Sequence, residues 1–184
     1  MIKTHEREKL LNAIIYFAQN TKYCGKTKLF KLLFLLDFEH YKLTGRSVTG
    51  SQYRAIQLGP VPSRFFEEFD APAEDLLEAI DIKATRMIDY PMLKIVPKRG
   101  FDPSHFSKRE IRLLGAIADE HKTKTAQQMV DLTHAENGVW DRVYADGAGA
   151  YELIPYELAL DDENAPAIIE KAKEYAALQV HYAD

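Results

Sequence analysis

The stretch KTKLFKLLFLLDFEHYKLTG, Lys26 to Gly45, constrains the fold more than any other part of the chain. Between Leu29 and Phe38 only Lys31 and Asp37 are polar. A membrane span needs roughly 20 apolar residues in succession. This run is shorter and holds two charges, so no membrane crossing is expected. At about 100° per residue, Lys28, Lys31, Glu39 and Lys42 share one stripe with Leu35, and most of the remaining circumference is apolar. A helix of that kind is buried by neighbours on several sides. The segment is predicted to be the central helix, and Leu33 and Phe34 to be core residues.

Asp37 then faces the interior. A buried carboxylate without a partner costs several kcal/mol, so it needs a cation or hydrogen-bond donors. Arg54, the nearest basic residue of the next element, is the expected partner. A core ion pair is preferred over a catalytic acid, because no second catalytic group accompanies it.

The other elements follow from periodicity and punctuation. Glu6 to Gln19 reads as a first helix with an apolar face from Leu10 to Ala18, and Thr27 as the cap of the second. Tyr53 to Leu58 alternates as a short strand stopped by Gly59 and Pro60, and Pro62 opens SRFFEEF. AEDLLEA reads as a short helix, and Ile80 to Val96 as a hairpin around DYP. Ser107 and Glu110 form a capping box, Thr125 opens a further helix, ADGAGA is a flexible connector, and Asn164 caps a last helix. The expected fold is mainly α, about six helices and a small antiparallel sheet, in a single compact domain. The main body is placed at 5–145, with 146–184 as an acidic helical extension packed on it.

A chain of 184 residues, 46% hydrophobic and 28% charged, can build such a core. Cys24 is the only cysteine, which excludes an internal disulfide framework and suits a cytoplasmic location. The start, MIKTHEREKLLN, is charged and lacks the apolar run of a leader, so none is expected. The net charge of −4 hides a gradient. Residues 1–50 hold nine Lys or Arg against four Asp or Glu, whereas residues 145–184 hold two against nine. Opposite blocks can dock within a protomer or between two. The C-terminal helix is therefore expected on the basic N-terminal part, in its own chain or in a homodimer.

Motifs for chemistry are sparse. THAE holds His-x-Glu without the Pro-Cys-x-x-Cys of the zinc deaminases, no two histidines have HExxH spacing, and there is no GxSxG. Cys24 has no histidine near it in sequence to activate it. No catalytic residue, cofactor or metal is expected, and the chain is read as a non-enzyme. A hydrolase assembled only in space is the third choice. The second is a winged-helix-like DNA-binding transcriptional regulator, using the helix pair Lys108–Ala135 and the 80–96 hairpin. Against it, TAQQMVDLTH carries no Lys or Arg for a base edge or phosphate.

The order of an apolar, lysine-leucine-rich helix ending at Thr44-Gly45, a strand running into Gly59-Pro60-Val61, and a helix PSRFFEEF resembles the SocA-like Panacea domain. That domain occurs in antitoxins of bacterial and phage toxin–antitoxin pairs, including prophage-associated ones. Lys28, Leu29, Lys31, Leu32, Leu33, Asp37, Thr44, Gly45, Gly59, Pro60 and Val61 carry the resemblance, and DLTHAENGVW, with His134 and Trp140, resembles the family's closing helix. Ile56 departs from it, since members often hold an aromatic there. The resemblance implies neutralisation of a cognate toxin by direct protein–protein interaction. In one branch it also implies an adaptor role toward a ClpXP-type protease, and antitoxins can bind their own promoter DNA. Motif residues of this kind are mostly structural. The anchors expected for a partner are Tyr53, Arg54, Phe65, Phe66 and Tyr90, beside a basic edge from Lys22 to Lys31.

Overall fold

The computed structural model describes residues 5–86 and 91–181. Its elements are α1 (Glu6–Asn20), α2 (Lys26–Thr44), β1 (Tyr53–Ile56), β2 (Gly59–Pro62), α3 (Ser63–Glu68) and α4 (Glu74–Ala79). Then come β3 (Ile80–Arg86), β4 (Pro91–Pro97), α5 (Lys108–Glu120), α6 (Ala126–Thr133), α7 (Val139–Tyr144) and α8 (Ala165–His181). The mainly α class holds, with eight α-helices among the described residues rather than about six.

Helix α2 is the centre. It contacts α1, α5, α6, α8, β2 and β4. Leu29, Leu32, Leu33 and Leu36 are fully buried among the residues of the larger core, which also takes Ile14, Phe17, Phe65, Leu76, Leu114 and Met129. A second cluster lies on another side of the same helix, where Phe34 and Phe38 meet Tyr53, Trp140 and Ile154. The helix ends at Gly45, whose φ of 70° is the left-handed turn that glycine adopts without strain, and Gly45 N–H donates to the Tyr41 carbonyl at 2.8 Å. Its start differs from the expectation. The helix begins at Lys26 after Gly25, with no side-chain cap, so Thr27 lies inside the first turn.

The sheet also differs. Gly59 and Pro60 do not end the strand region; Gly59–Pro62 is a second strand, with Tyr53 opposite Pro62 and Ile56 opposite Gly59. Two prolines fit there because β2 pairs only on one edge. β3 and β4 make a separate two-stranded ribbon, with Ile82 opposite Ile95. The first ribbon is instead extended by residues 151–154. Ala55 N–H donates to the Glu152 carbonyl at 2.9 Å, and Tyr151 N–H returns to Ala55 at 2.7 Å. The ADGAGA connector is thus not a loose tether: Ala145, Asp146 and Gly147 all take left-handed φ and turn the chain back onto β1.

The expected capping box, Ser107 with Glu110, is present, and Thr125, expected only to open α6, makes a second one with Gln128. α8 docks in its own chain on the C-terminal end of α2. Ile168 is buried, and a Cβ at Gly45 would come within 2.8 Å of the Ile168 carbonyl. The Arg46 guanidinium lies 4.6 Å over the Tyr175 ring.

Candidate partner-binding surface and the buried charges behind it

The family-motif residues divide into three polar sites along α2. Near its start, Lys28 and Lys31 are 0% and 1% exposed, so they are not a solvent stripe or part of a basic edge. The wheel placed them beside Glu39 and Lys42, which are half-exposed or exposed, but the neighbours of α2 cover its first half more fully. Lys28 Nζ donates to the carbonyls of Lys124 (2.7 Å), Lys22 (2.8 Å) and His121 (2.8 Å), with Lys122 at 3.3 Å. Three of these acceptors follow the C-terminus of α5, where unpaired carbonyls concentrate negative potential. The ammonium joins that turn to the one before α2.

Among the described residues Lys31 Nζ has the Pro60 carbonyl alone, at 2.9 Å, and burial pulls its pKa down to about 7. Gly59 makes room for it. Its φ is 95°, and a Cβ there would meet Lys31 Nζ at 2.9 Å and His134 Nε2 at 3.1 Å. His134 stacks on Trp140 with centroids 3.6 Å apart, and Trp140 Nε1 donates to the Ile56 carbonyl at 3.0 Å. Burial and the nearby Lys31 charge lower the His134 pKa, and its Nε2 has no partner among the described residues. Lys31, Gly59, Pro60, His134 and Trp140 therefore form one packed unit.

Toward the end of α2, Asp37 is fully buried, and the expected ion pair with Arg54 does not form. Arg54 points outward and donates to the Tyr151 carbonyl at 2.7 Å. Four donors replace it. Asp37 Oδ1 accepts from Val48 N and Thr49 N, each at 2.8 Å, and Oδ2 accepts from Thr49 Oγ1 at 2.5 Å and Tyr53 Oη at 2.7 Å. Burial pushes the Asp37 pKa up to about 6, against these bonds, which all pull it down. The site holds a loop onto the helix.

Two of the five expected anchors are buried in the core. Tyr53 and Phe65 are each 1% exposed, because their strand and helix face inward at those positions. Phe66 is half-buried under the Lys26 ammonium, 4.8 Å from its ring centre, and Arg54 is exposed. Tyr90 lies outside the described residues.

The apolar surface lies elsewhere. A groove of about 550 Å³ runs between the β1–β2 turn, β4 and the starts of α2 and α6, lined by Tyr23, Leu58, Pro91, Met92, Leu93 and Val130 among others. Leu58 is 57% exposed, and Tyr23 and Leu93 are each 42% exposed. The hairpin sits here because β4 bridges to Gly25, where a Cβ would meet Met92 Cγ at 2.7 Å. The sequence signal was Leu58 in the turn before Gly59 and Leu93 on the outward register of β4. A cavity of about 650 Å³ between α2 and the start of α5 is polar instead, with Lys9, Arg46, Lys108 and Arg109 on its walls.

Among the described residues no helix is long and apolar enough to cross a membrane, and no three His, Cys, Asp or Glu side chains are grouped to hold a metal ion. Residues 29–141 match the family model described as antitoxin SocA-like, Panacea domain. No curated protein and no solved structure matches the chain.

Proposed function

The chain belongs to the SocA-like antitoxin family with its Panacea domain, and we propose from this that it neutralises a cognate toxin stoichiometrically, by direct binding and without catalysis. The family match over residues 29–141 is the observation that carries the proposal. Two features support the mode of action. The charged motif residues Lys28, Lys31 and Asp37 are buried and bonded to groups of the protein itself, and the other motif residues pack the core or turn the chain. Apolar side chains meanwhile stand exposed around one groove, which is what a protein partner requires.

The test co-expresses the chain with the small open reading frame that adjoins its gene, then titrates the purified pair. Growth should be restored, a complex should co-elute, and inhibition should be complete only near equimolar ratio. Neutralisation by substoichiometric amounts, or without a complex, overturns the proposal. Repeating the rescue in cells lacking ClpX tests the adaptor role, in which toxin levels fall only when the protease is present. Promoter binding that weakens with salt would reveal autoregulation. For the regulator reading, α6 is the element to enter a groove of DNA, and its exposed face offers Gln127, Gln128 and Asp131, with no cation. A homodimer through α8 predicts a light-scattering mass that falls when the chain is cut after Tyr151.

A further inference from the structure

The groove beside the hairpin combines two properties. Its walls are apolar, with Leu58, Met92, Leu93 and Val130 facing it and, among the described residues, no Asp or Glu in the lining. Among the described residues the one charged side chain in its lining is a cation, Lys26, although the chain as a whole carries −4. The N-termini of α2 and α6 both open on it, and neither helix has an acidic residue in its first turn. α2 is 19 residues long and has no side-chain cap, so the N–H groups of its first turn keep their partial positive charge facing the groove. Lys26 lines the groove, held by its ammonium over the Phe66 and Phe69 rings at 4.8 and 4.7 Å. Lys22 and Lys94 are exposed next to the lining residues Tyr23 and Leu93, and the exposed Asp131, next to the lining residue Val130, already accepts from the lining Gln127 Nε2 at 2.8 Å.

Resting on the antitoxin reading, we infer that this groove docks a segment of the partner protein in which apolar anchors are flanked by acidic residues. The apolar side chains enter between Leu58 and Leu93, and the carboxylates lie toward Lys22, Lys26 and the start of α2. A basic partner segment would meet two helix N-termini and Lys26, with Lys22 and Lys94 beside the lining, and a polar one would leave the apolar walls without contact. Electrostatic complementarity sets which sequences dock and how fast, and the apolar anchors set how long they stay.

The experiment does not need the toxin. A random 12-residue peptide library is selected on the full-length chain, and the enriched peptides are measured by fluorescence anisotropy against four proteins: wild type, Leu58→Glu/Leu93→Glu, Lys22→Glu/Lys94→Glu, and Leu178→Glu as a surface control. Far-ultraviolet melts confirm that each is folded. Enrichment of Leu, Ile or Phe next to Asp or Glu is expected. Affinity should drop by about tenfold or more in the leucine variant, by about three- to tenfold in the lysine variant at low salt, and not in the control. Enrichment of basic or uncharged sequences, binding indifferent to both groove variants, or no enrichment at all overturns the inference. So does a groove occupied by a second copy, which would show as a concentration-dependent dimer abolished by Leu58→Glu/Leu93→Glu. If the peptides behave as described but the neighbouring reading frame forms no complex, the groove stands and the antitoxin reading fails.

Discussion

The two ends of α2 bury charges of opposite sign, and among the described residues neither end uses a counter-ion. At the start, the Lys28 and Lys31 ammonium groups are solvated by backbone carbonyls; toward the end, the Asp37 carboxylate is solvated by two backbone N–H groups and two hydroxyls. The number of dipoles differs. Lys28 has three carbonyls within 2.8 Å and a fourth at 3.3 Å, Asp37 has four donors, and Lys31 has one acceptor. A buried charge persists where enough oriented dipoles replace its water, and otherwise its pKa moves toward neutrality. Lys31, with a single bond, is the group drawn furthest toward neutrality near pH 7.

Removing the acceptor at the better-filled end should cost most. Asp37→Ala leaves two buried N–H groups and the Tyr53 hydroxyl without partners, while the Thr49 hydroxyl can turn to Ser51 Oγ at 2.8 Å, and a loss of about 3–5 kcal/mol in urea-induced unfolding is expected. Asp37→Asn should cost less, because its amide oxygen can keep Val48 N and Thr49 N. The carboxyl also brings a pH dependence. Its folded pKa of about 6 lies above the unfolded value near 3.8, so between these values the folded state binds more protons. The stability Asp37 lends is full below pH 3.8 and is lost as pH rises through 6, at up to about 1.4 kcal/mol per pH unit. The difference between wild type and Asp37→Asn should therefore slope downward from pH 4 to 6. A flat difference would mean that the four hydrogen bonds outweigh burial.

How much of this was legible in the sequence depends on which groups carry the contact. The central role of α2 was readable, because few other folds can use a helix apolar over most of its circumference. The capping box at Ser107 was readable because side chain and spacing are both in the sequence, and the box that Thr125 makes with Gln128 carries the same signal although only its first residue was picked out. The partners of Asp37 were not. Two of its donors are backbone N–H groups of Val48 and Thr49, and a backbone group leaves no residue-type signature. The same blindness turned Lys28 into a surface residue, since its acceptors at His121 and Lys124 are more than 90 positions away and belong to a helix end. Tyr53 and Phe65 were misplaced for the converse reason, because aromatic residues look alike whether they anchor a partner or fill a core.

Gly59 tests the lysine end by sterics. An alanine there must hold a φ of 95° and push its Cβ against Lys31 Nζ and His134 Nε2. Strained backbone of this kind costs on the order of 1–3 kcal/mol before the clash is counted. A melt of Gly59→Ala should show a loss of about 2–4 kcal/mol. Combining it with Lys31→Ala should recover part of that loss, since the two sites touch. Simple additivity would separate Gly59 from the lysine and leave only the backbone strain.

Lys28→Met keeps the length of the stem and removes the ammonium, exposing the carbonyls of Lys22, His121 and Lys124. These belong to turns near the surface and can recruit water, so a loss of about 2–3 kcal/mol is expected, less than for Asp37→Ala. A larger loss than Asp37→Ala would reverse the ranking by dipole access.

Lys31→Met should have the smallest effect at pH 7. One carbonyl, that of Pro60, loses its partner, and a costly charge leaves the interior with it. Replacing a poorly solvated buried charge by an apolar group of similar size is often neutral or stabilising. A change within about 1 kcal/mol in either direction is expected at pH 7. The pH dependence gives the sharper reading. The folded pKa of Lys31, about 7, lies below its unfolded value near 10.5. Between them the unfolded chain binds the extra proton, so the stability Lys31 lends is full above pH 10.5 and is lost as pH falls through 7. Wild type should therefore gain on Lys31→Met from pH 7 to 10, at up to about 1.4 kcal/mol per unit, opposite in sign to the slope of the Asp37 comparison. Parallel urea titrations of the two proteins at pH 7, 8 and 9 measure it. Curves that keep a constant separation would show that Lys31 retains its proton throughout, and that one carbonyl solvates a buried ammonium as well as the three near Lys28.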